Sequence, residues 1–150
     1  MAATLLLVHH TPSPAMSELR ERVVAGAHDP AIEDVDVVIR PALGASIADV
    51  LEADGYLFGT PANFGYMSGA LKHFFDTVYY PALGAVAGRP YGLWVFGNND
   101  TAGAVASVSK LASGLALTPV ADPVELVALD ADARTRCYEL GAVAAATVMG

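Results

Sequence analysis

The sequence predicts a three-layer α/β fold in which a five-stranded parallel sheet, with the strand order 2-1-3-4-5, lies between helices. Strand-like and helical patterns alternate five times along the 150 residues. The first strand-like run, Thr4–His9, is continuously apolar, which is typical of a parallel strand buried on both faces. Strands joined by helices pair in parallel through right-handed crossovers. Five strands in this length fit the doubly wound order, and we expect one domain over residues 1–150.

Three strands and two helices account for the first half of the chain. The predicted strands are Thr4–His9, Val35–Ile39 and Gly55–Gly59. A helix over about 15–27 lies between the first two strands and has one apolar face for packing on the sheet. A shorter helix begins after Ser46, because serine is a favoured N-cap residue. The side chains that this short helix is expected to turn inward are Ile47, Val50 and Leu51.

The second half continues the alternation. A helix over about 68–79 has an apolar stripe and is expected to end before Pro81 and Gly84. The elements predicted after it are a strand over 91–96, a helix over 101–113, a strand within 117–126 and a helix over 130–148. Two prolines, Pro119 and Pro123, leave the extent of the fifth strand open. Cys137 has core spacing in the last helix and is predicted to be a small buried hydrophobe.

Composition excludes several classes of function. The net charge is −8, and the eight lysines and arginines are scattered, so binding to nucleic acid is not expected. No apolar stretch reaches the roughly 18 residues that span a bilayer, and the N-terminus lacks a basic segment. We therefore expect a cytoplasmic protein without membrane insertion. We expect no metal site, because the only cysteine is Cys137 and the adjacent His9 and His10 point to opposite faces of a strand.

The most informative segment follows the third predicted strand and leads into a helix. Residues 59–76 read GTPANFGYMSGALKHFFD. In open α/β sheets, ligands bind at the carboxyl ends of the strands, where this loop lies. Its glycines permit close backbone approach, and Pro61 stiffens its entry. Asn63, Phe64 and Tyr66 supply the amide and aromatic groups that suit a flat ring.

This segment resembles the flavin-ring loop of the flavodoxin-like NAD(P)H-dependent FMN and quinone reductases. The family signature T-P-x-x-x-G-x-M-S/P-x-x-x-K is matched from Thr60 to Lys72. The chain looks like a short relative of the flavoproteins related to tryptophan-repressor-binding protein. The resemblance implies a flavodoxin-like fold, FMN as cofactor and NAD(P)H as co-substrate. It also implies hydride transfer through FMN to a quinone or similar acceptor. Separately, the aromatic and apolar segment 79–83 predicts a homodimer or homotetramer, with local packing at the end of the helix as the alternative.

The resemblance also assigns cofactor contacts to three loops. In the first loop, phosphate contacts fall by position on His10, Thr11, Ser13, Ala15 and Met16. In the second, the ring contacts are Pro61, Ala62, Asn63, Phe64, Gly65 and Tyr66, and backbone amides from 63 to 65 are expected to face the ring's polar edge. In the third, the contacts are Gly97, Asn98, Asn99, Asp100 and Gly103. The first loop departs from the family because its two prolines remove N–H donors. The third loop departs because Ala102 stands in place of the first glycine of the family's glycine pair.

The residues themselves leave alternatives open. The hydroxyls of the first loop suit an anion site, but they also suit ordinary turn and N-cap chemistry. Asp100 either contacts the ligand or caps the helix predicted over 101–113. No acid or base is firmly assigned, and Tyr66 and His10 are the candidate catalytic side chains. The alternatives to a reductase are a flavodoxin-type electron carrier, which the acidic charge favours, and an interaction module that has lost its flavin.

Overall fold

The computed structural model describes residues 2–150, in which one parallel sheet lies between two layers of helices. The strands are β1 (Ala3–His9), β2 (Val35–Pro41), β3 (Gly55–Pro61), β4 (Pro90–Phe96), β5 (Thr118–Pro119) and β6 (Val124–Leu126). The helices are α1 (Pro14–Ala27), α2 (Ile47–Glu52), α3 (Gly69–Ala82), α4 (Thr101–Gly114) and α5 (Ala131–Met149). The sheet order is β2-β1-β3-β4-β5, with β6 also paired to β4. The predicted fold class and strand order are confirmed.

The edge of the sheet beyond β4 is built from two short pieces instead of one fifth strand. β5 pairs with the beginning of β4, where Thr118 lies opposite Pro90, and β6 pairs with its end, where Leu126 lies opposite Phe96. Prolines cannot donate to a ladder, and Pro123 immediately precedes β6. The predicted fifth strand is therefore interrupted, and its second piece, β6, reaches the carboxyl end of β4.

Each face of the sheet has its own core. On the side of α2, α3 and α4, Phe58 packs against Phe74 and Phe75 with ring centroids 6.2 and 5.2 Å away. On the side of α1 and α5, Trp94 is completely buried and crosses Gly59 of the neighbouring strand. A β-carbon on Gly59 would lie 2.0 Å from Cζ2 of Trp94, so the glycine is required for this crossing.

The two helices on the second face lie unusually close together. A β-carbon on Gly26 of α1 would lie 1.9 Å from the carbonyl oxygen of Tyr138, and one on Gly141 of α5 would lie 1.9 Å from that of Val23. Cys137 lies in the same layer and is fully buried, as predicted. Burial raises the pKa of its thiol to about 12, so it remains an uncharged packing group.

Two predictions about helices are wrong in detail. α3 does not end before Pro81 but continues to Ala82. A proline in the last turn removes only one amide donor, and the Leu83 amide still donates to the Tyr79 carbonyl at 2.9 Å. Leu51 does not point inward and is 40% exposed. The six-residue α2 packs on one narrow face, which Val50 fills. No helix among residues 2–150 combines the length and apolarity needed to cross a bilayer.

Candidate functional site

A tight turn follows β3 and forms the tip of what we call the ring loop (residues 62–68). The amide of Asn63 donates to the Tyr66 carbonyl at 2.8 Å, and the amide of Tyr66 donates back at 3.0 Å. Phe64 (φ 51°) and Gly65 (φ 71°) between them are both left-handed, as in the type I′ turn of hairpins. A phenylalanine rarely adopts this conformation, and here its ring is fully exposed. The turn therefore holds an aromatic side chain in solvent at some conformational cost.

The turn decides which amides of the ring loop remain available. The amide of Asn63 is already bonded to Tyr66, so the prediction that it faces a ligand is not met. The amides of Phe64 and Gly65 have no acceptor within residues 2–150. These two donors are therefore available to a polar group of a ligand.

Two hydroxyl side chains anchor the ring loop from beneath. Thr60 Oγ1 accepts from the Ser68 amide at 3.0 Å, and Ser107 Oγ of α4 accepts from the Met67 amide at 3.0 Å. Ser68 in turn caps α3 by accepting from the Leu71 amide at 3.2 Å. The sequence gives no signal for Ser107, because its partner lies 40 residues away along the chain. These bonds fix the carboxyl end of the loop, where it enters α3.

The loop after β4 (residues 97–100, the β4 loop) meets the ring loop through glycines. Asp100 is left-handed (φ 48°) and caps α4, with Oδ1 accepting from the Gly103 amide at 3.0 Å. The predicted capping role of Asp100 is thus confirmed. A β-carbon on Gly65 would lie 2.3 Å from Oδ2 of Asp100, and one on Gly103 would lie 2.2 Å from the Gly65 carbonyl oxygen. Only glycine at 65 and 103 allows the two loops to approach this closely.

The two loops enclose a cavity of about 360 Å³ at the carboxyl ends of β3 and β4. Its lining residues are Ala62, Phe64, Gly65, Asn98, Asn99 and Asp100. All six were predicted as site residues. Of the other predicted residues nearby, Pro61 ends β3 beside Phe96, and Tyr66 is 42% exposed on the hairpin. Gly97 lies against Ala62, where a β-carbon would come within 2.8 Å of the alanine methyl group.

The loop after β1 (residues 10–13, the first loop) uses part of its polar chemistry internally. Ser13 caps α1 by accepting from the Met16 amide at 3.2 Å, so the N-cap alternative is confirmed for this serine. The Met16 amide is therefore not free, and the Met16 side chain is buried. Ala15 lies in the first turn of the same helix, where its amide has no protein acceptor within residues 2–150.

Thr11 connects the first loop to two side chains. Its Oγ1 lies 3.1 Å from Nδ1 of His9 and accepts from Nη1 of Arg20 at 3.2 Å. Burial, together with the charges of Arg20 and His10, lowers the pKa of His9 to about 4, so His9 is neutral at pH 7. Sequence reasoning missed Arg20, because nothing in its position in α1 indicates that it folds back to this loop.

His10 lies on the other side of the first loop. Its Nδ1 atom is buried and has no hydrogen-bond partner within residues 2–150. Together with Thr11 and Pro12 it lines a second cavity of about 310 Å³, which is closed by Pro41, Leu43 and Ala70 among others. The structure thus brings the ring loop and the β4 loop to one cavity and places the first loop beside another.

A larger cavity, of about 840 Å³, lies elsewhere. It is at the amino ends of the strands, between the two chain ends, and is lined by Ala3, Asp34, Asp54 and Gly150 among others. Ligands of open α/β sheets bind at the carboxyl ends of the strands, so this cavity is not the candidate site.

Comparison with known proteins identifies a family for most of the chain. The sequence model of a family described as NADPH-dependent FMN reductase matches residues 11–131. A flavodoxin from Aquifex aeolicus is 32% identical over 85 residues, which is 57% of this chain and 45% of that protein. This match therefore spans less than half the length of the relative.

Solved structures of low sequence identity share the fold. A flavodoxin from the domain Archaea superposes with a TM-score of 0.82 at 17% identity, over 98% of this chain and 99% of that one. A WrbA-like flavodoxin from Agrobacterium tumefaciens gives 0.77 at 16% identity, over 99% and 98%. Similarity at this level of identity establishes the flavodoxin-like fold and no more. The family match over residues 11–131 shows that the chain belongs to the NADPH-dependent FMN reductase family.

Proposed function

We propose that the chain binds FMN across the carboxyl ends of β1, β3 and β4, with the flavin ring between the ring loop and the β4 loop. The close approach of Gly65 to Asp100 and Gly103 carries this proposal, because it shapes the cavity of about 360 Å³ at this edge. Ligand pockets of that kind combine apolar walls with a few convergent polar groups.

The donor set of the cavity suits a flat ring with one polar edge. The amides of Phe64 and Gly65 are free donors, and Asn98 and Asn99 supply side-chain amides. Ala62 offers an apolar surface, and Phe64 offers an aromatic face that is otherwise exposed to water. We assign the polar edge of the flavin to the two backbone amides and its ribityl side to the asparagines.

The phosphate end of the cofactor is assigned to the first loop. The amides of Thr11, Ser13 and Ala15 have no acceptor within residues 2–150, and they lie at the beginning of α1. Anions are stabilised at such helix starts by unpaired N–H groups. His10 contributes a buried ring nitrogen without a partner, which is satisfied if a cofactor oxygen or a bridging water reaches it.

Bound FMN would supply hydride and electron transfer between NAD(P)H and an acceptor such as a quinone. The residues of this chain bind and orient the cofactor and shield it from water. The polar N–H groups at the ring edge favour added negative charge there. We assign Tyr66, which is partly exposed on the hairpin, to contact with a substrate above the ring, and His10 to contact with the cofactor.

Two measurements test this function in sequence. FMN is titrated into the protein, and quenching of flavin fluorescence is followed to saturation. The FMN-loaded protein is then mixed with NADH or NADPH and a soluble benzoquinone, and pyridine-nucleotide oxidation is followed by absorbance. The proposal requires oxidation that depends on both FMN and quinone. Binding of FMN without such oxidation would contradict the reductase function.

A second candidate is an electron carrier of the flavodoxin type. The net charge of −8 favours it, because carriers dock to basic partners through complementary charge. This candidate predicts FMN binding, no direct oxidation of NADH or NADPH, and electron transfer from a partner flavoprotein that weakens as salt is raised. The same two measurements therefore separate the two functions.

We also propose that the chain forms a homodimer or homotetramer. At the end of α3, Tyr80 is 80% exposed and Leu83 is 49% exposed, as in apolar surfaces that become interface cores. Light scattering on the purified protein measures the mass directly. A mass of one chain, 15.5 kDa, would refute the oligomer.

A further inference from the structure

The first loop is poor in the backbone donors that usually hold a phosphate. Pro12 and Pro14 have no N–H, and the Met16 amide is bonded to the Ser13 hydroxyl. The His10 amide donates to the Gly59 carbonyl at 2.9 Å within the sheet. A phosphate dianion at this loop therefore meets only the amides of Thr11, Ser13 and Ala15. Additional positive charge would stabilise it considerably.

Arg20 is the cation in reach of this loop. It lies on α1, where side chains lean toward the helix N-terminus, and its Nη1 donates to Thr11 Oγ1 at 3.2 Å. No carboxylate within residues 2–150 forms an ion pair with Arg20, whereas Arg134 and Arg40 each have one. A guanidinium has five N–H donors in a planar fork, and one bond to Thr11 leaves the others available.

Thr11 and His9 form the polar surroundings of the Arg20 guanidinium. His9 lies against Thr11 and stays neutral at pH 7, so Arg20 is the charged partner of the Thr11 hydroxyl. The Thr11 hydroxyl oxygen bridges His9 and Arg20 and holds the guanidinium beside the loop backbone. The arrangement thus places a half-buried guanidinium, without an ion pair among residues 2–150, in contact with a side chain of the first loop.

From this geometry we propose that Arg20 binds the terminal phosphate of FMN and gives the chain its preference for FMN over riboflavin, which lacks the phosphate. The inference rests on the proposed FMN site. It adds a side-chain cation from the middle of α1 to a phosphate site for which the sequence predicts backbone amides, hydroxyls and His10. The planar fork of arginine matches phosphate oxygens in a bidentate manner, so Arg20 replaces the donors that the prolines remove.

The test compares FMN and riboflavin as ligands of the same protein. Dissociation constants for both flavins are measured by fluorescence quenching on the wild type, on Arg20→Gln and on Arg22→Gln. Arg22 is a matched control, since it loses the same charge from the same helix but its guanidinium lies over the Tyr138 ring, 5.6 Å from the centroid. Arg20→Gln is expected to weaken FMN binding by about 10- to 100-fold and riboflavin binding by less than about 2-fold. Arg22→Gln should change neither constant appreciably.

Each outcome has a distinct meaning. An unchanged ratio of the two constants in Arg20→Gln, with FMN still bound, overturns the role of Arg20 and leaves the proposed function intact. A wild type that binds neither flavin refutes the proposed function and the inference together. If Arg20→Gln does not fold, Arg20→Lys keeps the charge without the fork and should bind FMN with intermediate affinity. The wild type alone gives an independent check, because added salt must weaken FMN binding more than riboflavin binding.

Discussion

The carboxylate of Asp100 lies against the α-carbon of Gly65, so close that a β-carbon on this glycine would lie 2.3 Å from Oδ2. The same carboxylate caps α4 through its other oxygen, which accepts from the Gly103 amide at 3.0 Å. One side chain therefore fixes the beginning of a helix and the distance between the two loops of the candidate site. The shape of the cavity depends on this contact.

Replacing Gly65 with alanine tests this dependence. Gly65→Ala adds a β-carbon that must displace Asp100, at a residue with φ of 71°, so the ring loop has to move. We expect FMN affinity to fall by at least about 10-fold, and left-handed strain to lower the free energy of unfolding by about 1–2 kcal/mol. Fluorescence titration and urea unfolding measure the two effects.

Gly84→Ala is the matched control for this substitution. Gly84 also has a positive φ, of 83°, but a β-carbon there meets no atom within 4 Å. It should lose similar stability and bind FMN like the wild type. Equal FMN affinity in Gly65→Ala and Gly84→Ala would show that the contact with Asp100 does not shape the site.

The exposed Phe64 is expected to lower the stability of the fold and to strengthen FMN binding. Phe64→Asn places the residue best suited to the first central position of a type I′ turn beside Gly65. We expect the free energy of unfolding to rise by about 1 kcal/mol, because asparagine tolerates the left-handed conformation better. FMN affinity should fall several-fold with the loss of aromatic contact, worth about 0.5–1.5 kcal/mol. A variant that is less stable, or that binds FMN more tightly, would contradict this interpretation of the turn.

Much of the fold could be predicted from local sequence pattern, but the contacts within the site could not. The continuous apolar run of β1 and the helical stripe of α3 are local signals, and both elements were found at the predicted places. The glycines of the ring loop indicated close approach, but not that the neighbour is Asp100. The reach of Arg20 to Thr11 and the bond of Ser107 to Met67 depend on how helices pack on the sheet, and spacing along the chain does not encode this.

The contact between α1 and α5 makes a prediction about stability alone. Gly26→Ala places a β-carbon 1.9 Å from the Tyr138 carbonyl oxygen, so the helices must separate. We expect a loss of about 3 kcal/mol in the free energy of unfolding, at the upper end of the usual cost of overpacking. Gly69→Ala is the control, because a β-carbon there meets nothing within 4 Å and alanine favours the helix. Similar stabilities for the two variants, measured by urea unfolding, would show that the helices are not in close contact.

Burial of His9 predicts a loss of stability in mild acid. Because its pKa falls from 6.5 to about 4 on folding, the unfolded chain takes up a proton below pH 6.5 that the folded chain does not. The free energy of unfolding should therefore be highest above pH 6.5 and decrease by up to about 3 kcal/mol as the pH falls to 4.

His9→Gln isolates this contribution to the pH dependence. Urea unfolding at pH 7.5, 6, 5 and 4 on the wild type and on this variant compares the two slopes. The Asp29 carboxyl, whose pKa a hydrogen bond from Tyr138 lowers, is common to both proteins, so its contribution cancels in the comparison. Equal slopes in the wild type and His9→Gln would contradict the account of a neutral buried histidine.

Titration of FMN, followed by the quenching of its fluorescence, is the most direct test of the three-loop site. Such a site predicts saturable binding of one FMN per chain, with a dissociation constant of roughly low micromolar or tighter. Gly65→Ala should bind at least about 10-fold more weakly in the same titration. No saturation with FMN at ~100 μM would contradict the three-loop site. The flavodoxin-like fold would then stand, and a protein that uses it as an interaction module would become the better hypothesis.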